Sequence, residues 1–312
     1  MTRSALLETT VLPAVTLRRR LPDRADTVAA LGLAGPAVLL LLLLFVGPVL
    51  AVFVIAVTDW QFGARTLAFV GLRNFQALAA DLEFRRSLLN TCWYVLTVVP
   101  VTLGLALFIA VLIESGRSMR AFYRAAHFLP YMATLAAMAI AWEALLHPTI
   151  GLINQAFAAM GMPTANWLRD ERMVLPVLAA IGIWQNLGFA MVLFLAGLKG
   201  IPSDLYDAAD IDGADGALDR LRTVTLPLLG PVSMFVLVIT SIKAFSVFDT
   251  VKILTQGGPG HASDTLLFTL YRESFEYLRT GYGAAVTVVF LAIVVVLTLV
   301  QTRLLDRRVH YG

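Results

Sequence analysis

Apolar and polar residues fall in long blocks along this chain, with neither the period of an amphipathic surface helix nor that of a strand. Apolar runs of at least about eighteen residues, the length that reads as a membrane-crossing helix, recur six times. They lie near residues 29–57, 88–113, 122–146, 173–198, 226–254 and 282–305. The expected fold class is all-α: a polytopic membrane protein with six transmembrane helices. Several runs exceed the roughly twenty residues that cross a bilayer core, so tilts and kinks are expected. Pro36, Pro48, Pro100, Pro130, Pro176 and Pro231 supply the kink points, tolerated where neighbouring helices re-satisfy the backbone. The first run follows Arg18, Arg19, Arg20 and Arg24. Its length, from Val28 to Val57, is about twice the roughly 7 to 15 residues of a signal-peptide core. No small-residue cleavage site follows, and it reads as an uncleaved anchor.

One polar stretch between these runs stands out for its acids. Residues 199–225 place six Asp, at 204, 207, 210, 212, 215 and 219, between two apolar spans. A turn between helices needs only a few residues, so a segment this long has another use. Pro202 and Ser203 start a helix, with the Ser hydroxyl as cap and Asp204 in the first turn, where the helix dipole favours an anion. Gly213 can take the positive φ that ends this helix near residue 211, and Ala214 to Val224 can form a second before Leu226-Pro227 leads into the membrane. A solvated acidic loop has no need of Tyr206, Ala208, Ala209, Ile211 and Ala214 between its acids. A compact knob with alanine faces suits insertion into a partner's groove.

Composition agrees with the pattern. Of 312 residues 59% are hydrophobic and 14% charged, against roughly 25% charged in soluble domains. The net charge of +3 comes from Lys and Arg scattered between apolar blocks; without a basic stripe and interleaved aromatics, no nucleic-acid partner is expected, and membrane lipid is the surrounding medium. The same residues set orientation, because positive charge marks the cytoplasmic side and acids count little. Fourteen fall on the side of the N-terminus (Arg3, Arg18, Arg19, Arg20, Arg24; Arg117, Arg120, Arg124; Lys199, Arg220, Arg222; Arg303, Arg307, Arg308). Eight fall on the other (Arg65, Arg73, Arg85, Arg86, Arg169, Arg172, Arg272, Arg279). Both termini and the acidic segment are therefore expected in the cytoplasm. No internal repeat is visible, so one six-helix domain is expected over 28–306, flanked by cytoplasmic segments 1–27 and 307–312.

Tyr206-Asp207-Ala208-Ala209-Asp210-Ile211-Asp212-Gly213-Ala214, followed about a dozen residues later by Leu226-Pro227, resembles the EAA loop of binding-protein-dependent ABC transporter permeases, with Asp207 where the family usually has Glu. Other segments resemble the maltose and glycerol-3-phosphate branch: Phe69-Val70-Gly71-Leu72-Arg73-Asn74-Phe75, Ser87-Leu88-Leu89-Asn90-Thr91, Arg124 with Phe128-Leu129-Pro130, Gly151-Leu152-Ile153-Asn154, Leu254-Thr255-Gln256-Gly257-Gly258-Pro259 and Gly281-Tyr282-Gly283-Ala284-Ala285. They stand in the family's order over roughly residues 30–305. The resemblance implies a type I ABC importer permease in a bacterial inner membrane. Its coupling residues would be Tyr206, Asp207, Ala208, Ala209, Asp212, Gly213, Ala214 and Pro227. It also implies the partners: a second homologous permease, two ATPase subunits that hold ATP and Mg, and an external solute-binding protein. The Gly-Gly-Pro segment points to the subunit type that pairs with a different permease. The solute expected by resemblance is a sugar, an oligosaccharide or a glycerol-phosphate-type molecule.

Polar residues inside apolar runs are costly and usually face a cavity. Trp142, Glu143, Trp184, Gln185, Asn186, Ser246, Asp249 and Thr250 are the candidates for a solute path. Ser246, Asp249 and Thr250, at i, i+3 and i+4, would share one helix face. Alternatively, Lys243 or Lys252 neutralises Asp249 or Glu143, and the two Trp anchor or pack instead of stacking on sugar rings. Catalytic and metal readings lack parts. His127, His147, His261 and His310 fall in different segments without ligand spacing, and Cys92 stands alone as a packing residue, so no metal is expected. Gly257-Gly258-Pro259-Gly260 has no Lys and is no phosphate loop, so ATP is expected on another subunit and no cofactor on this chain. The other classes open on sequence are an ion-coupled secondary transporter, or a membrane-embedded enzyme using Glu143 or Asp249 as acid or base.

Overall fold

The structure is a computed structural model that describes residues 24–116, 118–214 and 216–306. The expected cytoplasmic tail, most of the N-terminal segment, Arg117 and Asp215 lie outside the described residues. The chain forms two units, Met1–Ala51 and Val52–Gly312. The first contains helix α1 (Arg24–Leu41), a π-helical turn at Leu42–Val46 and the start of α2 (Gly47–Ala56).

The second unit is helical among the described residues: α3 (Arg73–Ala80), α4 (Leu82–Ser115), α5 (Arg120–Met132), α6 (Leu135–Leu145), α7 (Leu152–Ala159), α8 (Val174–Lys199), α9 (Ser203–Ile211), α10 (Ala217–Arg220), α11 (Leu226–Leu228), α12 (Gly230–Phe245), α13 (Leu266–Tyr271) and α14 (Thr280–Asp306). Four described helices are long and apolar enough to cross a membrane unaided: Gly32–Ala56, Leu82–Ser115, Val174–Lys199 and Thr280–Arg303. Two further spans are broken, α5 with α6 by a bend of 100°, and Ala217–Leu228 with α12 by 73°. Each bent pair counted once gives the six spans expected.

The breaks and boundaries differ from the apolar runs for local reasons. Helix α4 starts at Leu82, ahead of its apolar run, because Asp81 caps it by accepting the amides of Glu83 at 2.8 Å and Phe84 at 3.4 Å. Its 34 residues extend about 51 Å at 1.5 Å per residue, well beyond the roughly 30 Å hydrocarbon core. The third span is not the continuous helix of 122–146, because Pro130 in the last turn of α5 removes a backbone donor and the helix stops two residues later. The fifth run also fails to make one helix over 226–254: α12 ends at Phe245, and a π-helical turn at Val251–Thr255 follows.

The core is built on α4 and α8. Tyr94, Val95, Val98 and Val99 of α4 pack against Val174, Leu175, Leu178 and Ala179 of α8, with Ala244, Phe245, Val251 and Phe268 closing the cluster. Further along the same helices, Ala106, Ala110 and Ile113 meet Ala190, Met191, Phe194, Leu195 and Leu198, against Leu229 and Val236. At the other end a polar clamp ties the segment after Thr255 to α4. Buried Arg272 donates to Asp264 at 2.9 Å and to Glu83 at 3.4 Å. His261 pairs with Asp264 at 2.7 Å, and the Asn90 amide donates to the carbonyls of His261 and Asp264. Nearby, burial acts to raise the pKa of Asp81, but the Tyr282 hydroxyl and the amides of Glu83 and Phe84 outweigh it and hold the carboxyl below its usual range.

Helix α5 crosses α8 at Gly188, where a Cβ would lie 1.9 Å from the His127 carbonyl oxygen and 2.8 Å from Phe128 Cα. Both are backbone atoms and cannot swing aside. Gly188→Ala is therefore expected to prise α5 from α8 and to destabilise the protein by about 2 kcal/mol or more, seen as a lower thermal midpoint of the detergent-purified chain. An unchanged midpoint would contradict this crossing.

Candidate functional site

Two features stand out, a polar cavity among the spans and an exposed helical knob at one end. The cavity has a volume of about 530 Å³ and is lined by Tyr94, Tyr131, Ala133, Thr134, Gly182, Gln185, Asn186, Lys243, Ala244, Ser246, Val247, Phe248, Asp249 and Thr250. Four chain segments meet there. Helix α4 brings Tyr94; the end of α5 and the gap before α6 bring Tyr131, Ala133 and Thr134; α8 brings Gly182, Gln185 and Asn186; the end of α12 and the residues after it bring the rest.

Ser246, Asp249 and Thr250 do not share a helix face as their spacing predicts. Ser246 is the residue that ends α12, Val247 and Phe248 are non-helical, and Asp249 begins the next turn. The released Val247 carbonyl accepts the Thr265 hydroxyl at 3.1 Å, which satisfies the broken ladder from a neighbouring segment. The three side chains nonetheless reach one cavity, together with Gln185 and Asn186; the Asn186 amide donates to the Gly182 carbonyl at 2.8 Å.

The other candidates lie elsewhere. Trp142 and Trp184 pack edge to face, with centroids 5.4 Å apart and planes at 86°, and neither lines the cavity. Glu143 lines a separate pocket of about 510 Å³ with His147, Asn166, Arg169 and Gln256. The ion-pair alternative is also corrected, since neither lysine meets Asp249 or Glu143 among the described residues. Lys243 donates to the Tyr131 hydroxyl at 2.5 Å and lies 4.1 Å from that ring's centroid. Lys252 pairs with Glu276. Tyr94, Tyr131, Thr134 and Gly182 were missed from sequence. Tyr131 carried a signal, since it follows Pro130 where the span breaks.

The knob comprises α9, α10, a π-helical turn at Leu221–Thr225 and α11. Ser203 does not cap α9. The N-cap position falls on Pro202, and the Ser203 hydroxyl lies 3.4 Å from Asp204. The second helical piece starts at Ala217, not Ala214, and runs through Leu226-Pro227 to Leu228 before the chain turns into α12. The end of α9 follows the glycine expectation. Gly213 has φ +91°, its amide donates to the Asp210 carbonyl at 3.1 Å, and the Ala214 amide donates to the Ala209 carbonyl at 2.9 Å. Such paired bonds satisfy the last helical carbonyls around a left-handed residue. Arg220 bridges to Asp210 at 2.6 Å and Tyr206 bonds Thr225 at 3.1 Å, locking the two halves. Ala214 is buried in the turn, whereas Asp207, Ala208, Asp212, Gly213 and Pro227 stay exposed beside Ile211, which is 87% exposed. Exposed apolar and acidic groups thus lie side by side on this two-helix knob.

A multi-span membrane protein with a polar cavity among its helices and an exposed helical knob at one end has the construction of a transport protein. The chain belongs to the family described as binding-protein-dependent transport system inner membrane components, matching it over residues 11–311. It is 33% identical over 282 residues to the sn-glycerol-3-phosphate transport system permease protein UgpA of Agrobacterium fabrum, covering 90% of this chain and 95% of that protein. It is 34% identical over 293 residues to the probable ABC transporter permease protein YesP of Bacillus subtilis, covering 92% and 94%. Its fold is that of a chain in the crystal structure of a bacterial alginate ABC transporter in complex with an alginate pentasaccharide-bound periplasmic protein, with TM-score 0.80, 20% identity and coverage of 92% and 97%. The chain is thus a multi-pass ABC importer permease. Family membership sets aside the secondary-transporter and enzyme alternatives.

Gly213 connects backbone geometry to the knob's outer surface. A Cβ there meets nothing within 4 Å, so only the φ of +91° resists substitution. Gly213→Val is expected to destabilise by about 1 kcal/mol or more through the left-handed turn, to spare membrane insertion, and to abolish uptake by deforming the docking face. Uptake at the unsubstituted rate would exclude the knob from coupling.

Proposed function

We propose that this permease imports a sugar, an oligosaccharide or a glycerol-phosphate-type solute, delivered by an external solute-binding protein, and that the cavity of Gln185, Asn186, Ser246, Asp249 and Thr250 lies on the solute path. The observation that carries this reading is the convergence of those side chains, from two separate spans, on one cavity of about 530 Å³. Hydroxyl, amide and carboxylate groups together match a polyhydroxylated solute, which both donates and accepts hydrogen bonds. The named solutes of relatives, glycerol 3-phosphate and alginate, are of this chemical kind.

In this reading a second homologous permease completes the passage and two ATPase subunits hold ATP and Mg²⁺, so that this chain carries no cofactor. The knob, including Tyr206, Asp207, Ala208, Ala209, Asp212, Gly213, Ala214 and Pro227, sits in a cleft of one ATPase. Closure of the ATPases moves the knob and rocks the spans from inward-open to outward-open, where the binding protein releases solute. This orientation puts both termini and the knob in the cytoplasm, and the excess of positive charge on that side supports it. In a background with Cys92 replaced, a cysteine introduced at Asp212 is expected to react with impermeant reagents only from the cytoplasmic side and one at Gln61 only from outside. The reverse pattern would invert the protein.

Asp249 provides the sharper test of the path. Because it has no cationic partner among the described residues, Asp249→Asn strands no buried charge and should leave the yield of purified complex unchanged. It replaces one acceptor of the carboxylate by a donor, and uptake should fall by about tenfold, the effect of losing roughly 1.4 kcal/mol of a charge-assisted hydrogen bond. Unchanged uptake would remove Asp249 from the path. A collapse of complex yield would assign it a structural role instead.

A further inference from the structure

Lys243 and Asp249 are the two formally charged side chains that line the cavity among the described residues. They do not form an ion pair with each other. The Lys243 ammonium is held instead by aromatic groups: it lies 4.1 Å from the Tyr131 ring centroid and 4.4 Å from that of Phe189, and donates one hydrogen bond to the Tyr131 hydroxyl at 2.5 Å. The two rings stack on each other with centroids 4.8 Å apart, so the platform under the ammonium is rigid. Aromatic faces stabilise a cation without neutralising it. An ammonium has three donors, and one is used here. The result is an ammonium on the cavity wall with two donors left over and no anionic partner among the described residues.

We infer that Lys243 is the anion-receiving residue of the solute path, and that the solute is a hydroxylated anion: a polyol or sugar bearing a phosphate or carboxylate group. The inference rests on the cavity being the solute path. The anionic group meets the two free donors of the ammonium, while Asp249, which only accepts, takes hydroxyl donors from the same solute. A neutral polyol would displace water from the ammonium without matching its charge. Discrimination against it follows from that unmatched charge as much as from attraction to the anion.

The test reads the cavity's field directly. In a Cys92→Ser background, Ser246→Cys places a thiol on the cavity wall between the two charged residues, in membranes carrying the complete transporter. Its reaction rates with anionic 2-sulfonatoethyl, cationic 2-trimethylammonioethyl and neutral methyl methanethiosulfonate are measured and normalised to those of a free thiol. The anionic reagent is expected to be favoured over the cationic one by about tenfold, the lower end of what a charged cleft achieves. Lys243→Met should invert the preference, since Asp249 remains, and Lys243→Arg should keep it. A normal neutral rate with no anionic preference in the presence of Lys243 overturns the inference and leaves the path reading standing. A thiol closed to all three reagents removes the path reading and the inference together. If Lys243→Met fails to assemble, the ratio measured with lysine in place, together with Lys243→Arg, still decides.

Discussion

A chain that crosses hydrocarbon must satisfy its own backbone hydrogen bonds, because the surroundings offer no partner. The organisation of this permease follows from where that rule is kept and where it is broken. Helices α4 and α8 keep it over 34 and 26 residues and supply most of the buried core. The chain breaks it between α5 and α6 and again after α12, and both breaks open onto the same cavity. Irregular backbone at membrane depth survives where protein covers it or where it lines a polar space. The Thr265 hydroxyl on the Val247 carbonyl is one such cover. The breaks and the cavity are therefore two aspects of one arrangement. Unwound segments need a polar space, and the polar space takes its Ser246, Asp249 and Thr134 from the segments that unwind.

The polar clamp of Arg272, Asp264, Glu83 and His261 follows the same logic with charge. Asp264 is fully buried, and a buried carboxylate is tolerated only when paired and hydrogen-bonded. Arg272 and His261 supply the pairs. Such a pair contributes less to stability than to geometry, because desolvation consumes much of the attraction. Here it fixes the segment just after the Gly257–Gly260 turn against α4, where the Asn90 amide also holds the carbonyls of His261 and Asp264.

The six spans were legible because length and apolarity are one-dimensional properties, visible without knowing any neighbour. The turn at Gly213 was legible for a similar reason, since a positive φ next to a short helix selects glycine whatever surrounds it. What failed depended on neighbours. Spacing placed Ser246, Asp249 and Thr250 on one face only on the assumption of a continuous helix, and nothing local marks the unwinding at Val247. Lys243 could not be separated from Asp249 without knowing that Tyr131 and Phe189 sit beneath it. Trp142 and Trp184 read as a sugar platform, but they pack edge to face on each other outside the cavity. The cap expected at Ser203 was misplaced by one residue because Pro202 already has the extended geometry of the position before a helix.

The knob and the cavity share one chain segment, and this constrains how they can be coupled. From Ala217 the chain runs through the second half of the knob to Leu228, bends by 73°, and continues as α12 to Phe245 at the cavity wall. The bend sits at Leu229–Gly230 beside Pro231, and Leu229 is fully buried against the α4–α8 core. The 16 residues of α12 form a rod of about 24 Å, anchored at one end by that buried leucine. In the coupling proposed above, this rod would carry a rotation of the knob about that leucine to its other end, where Lys243 and Ser246 stand. The π-helical turn at Leu221–Thr225 lies on the knob side of the pivot and the unwound Val247–Phe248 on the cavity side.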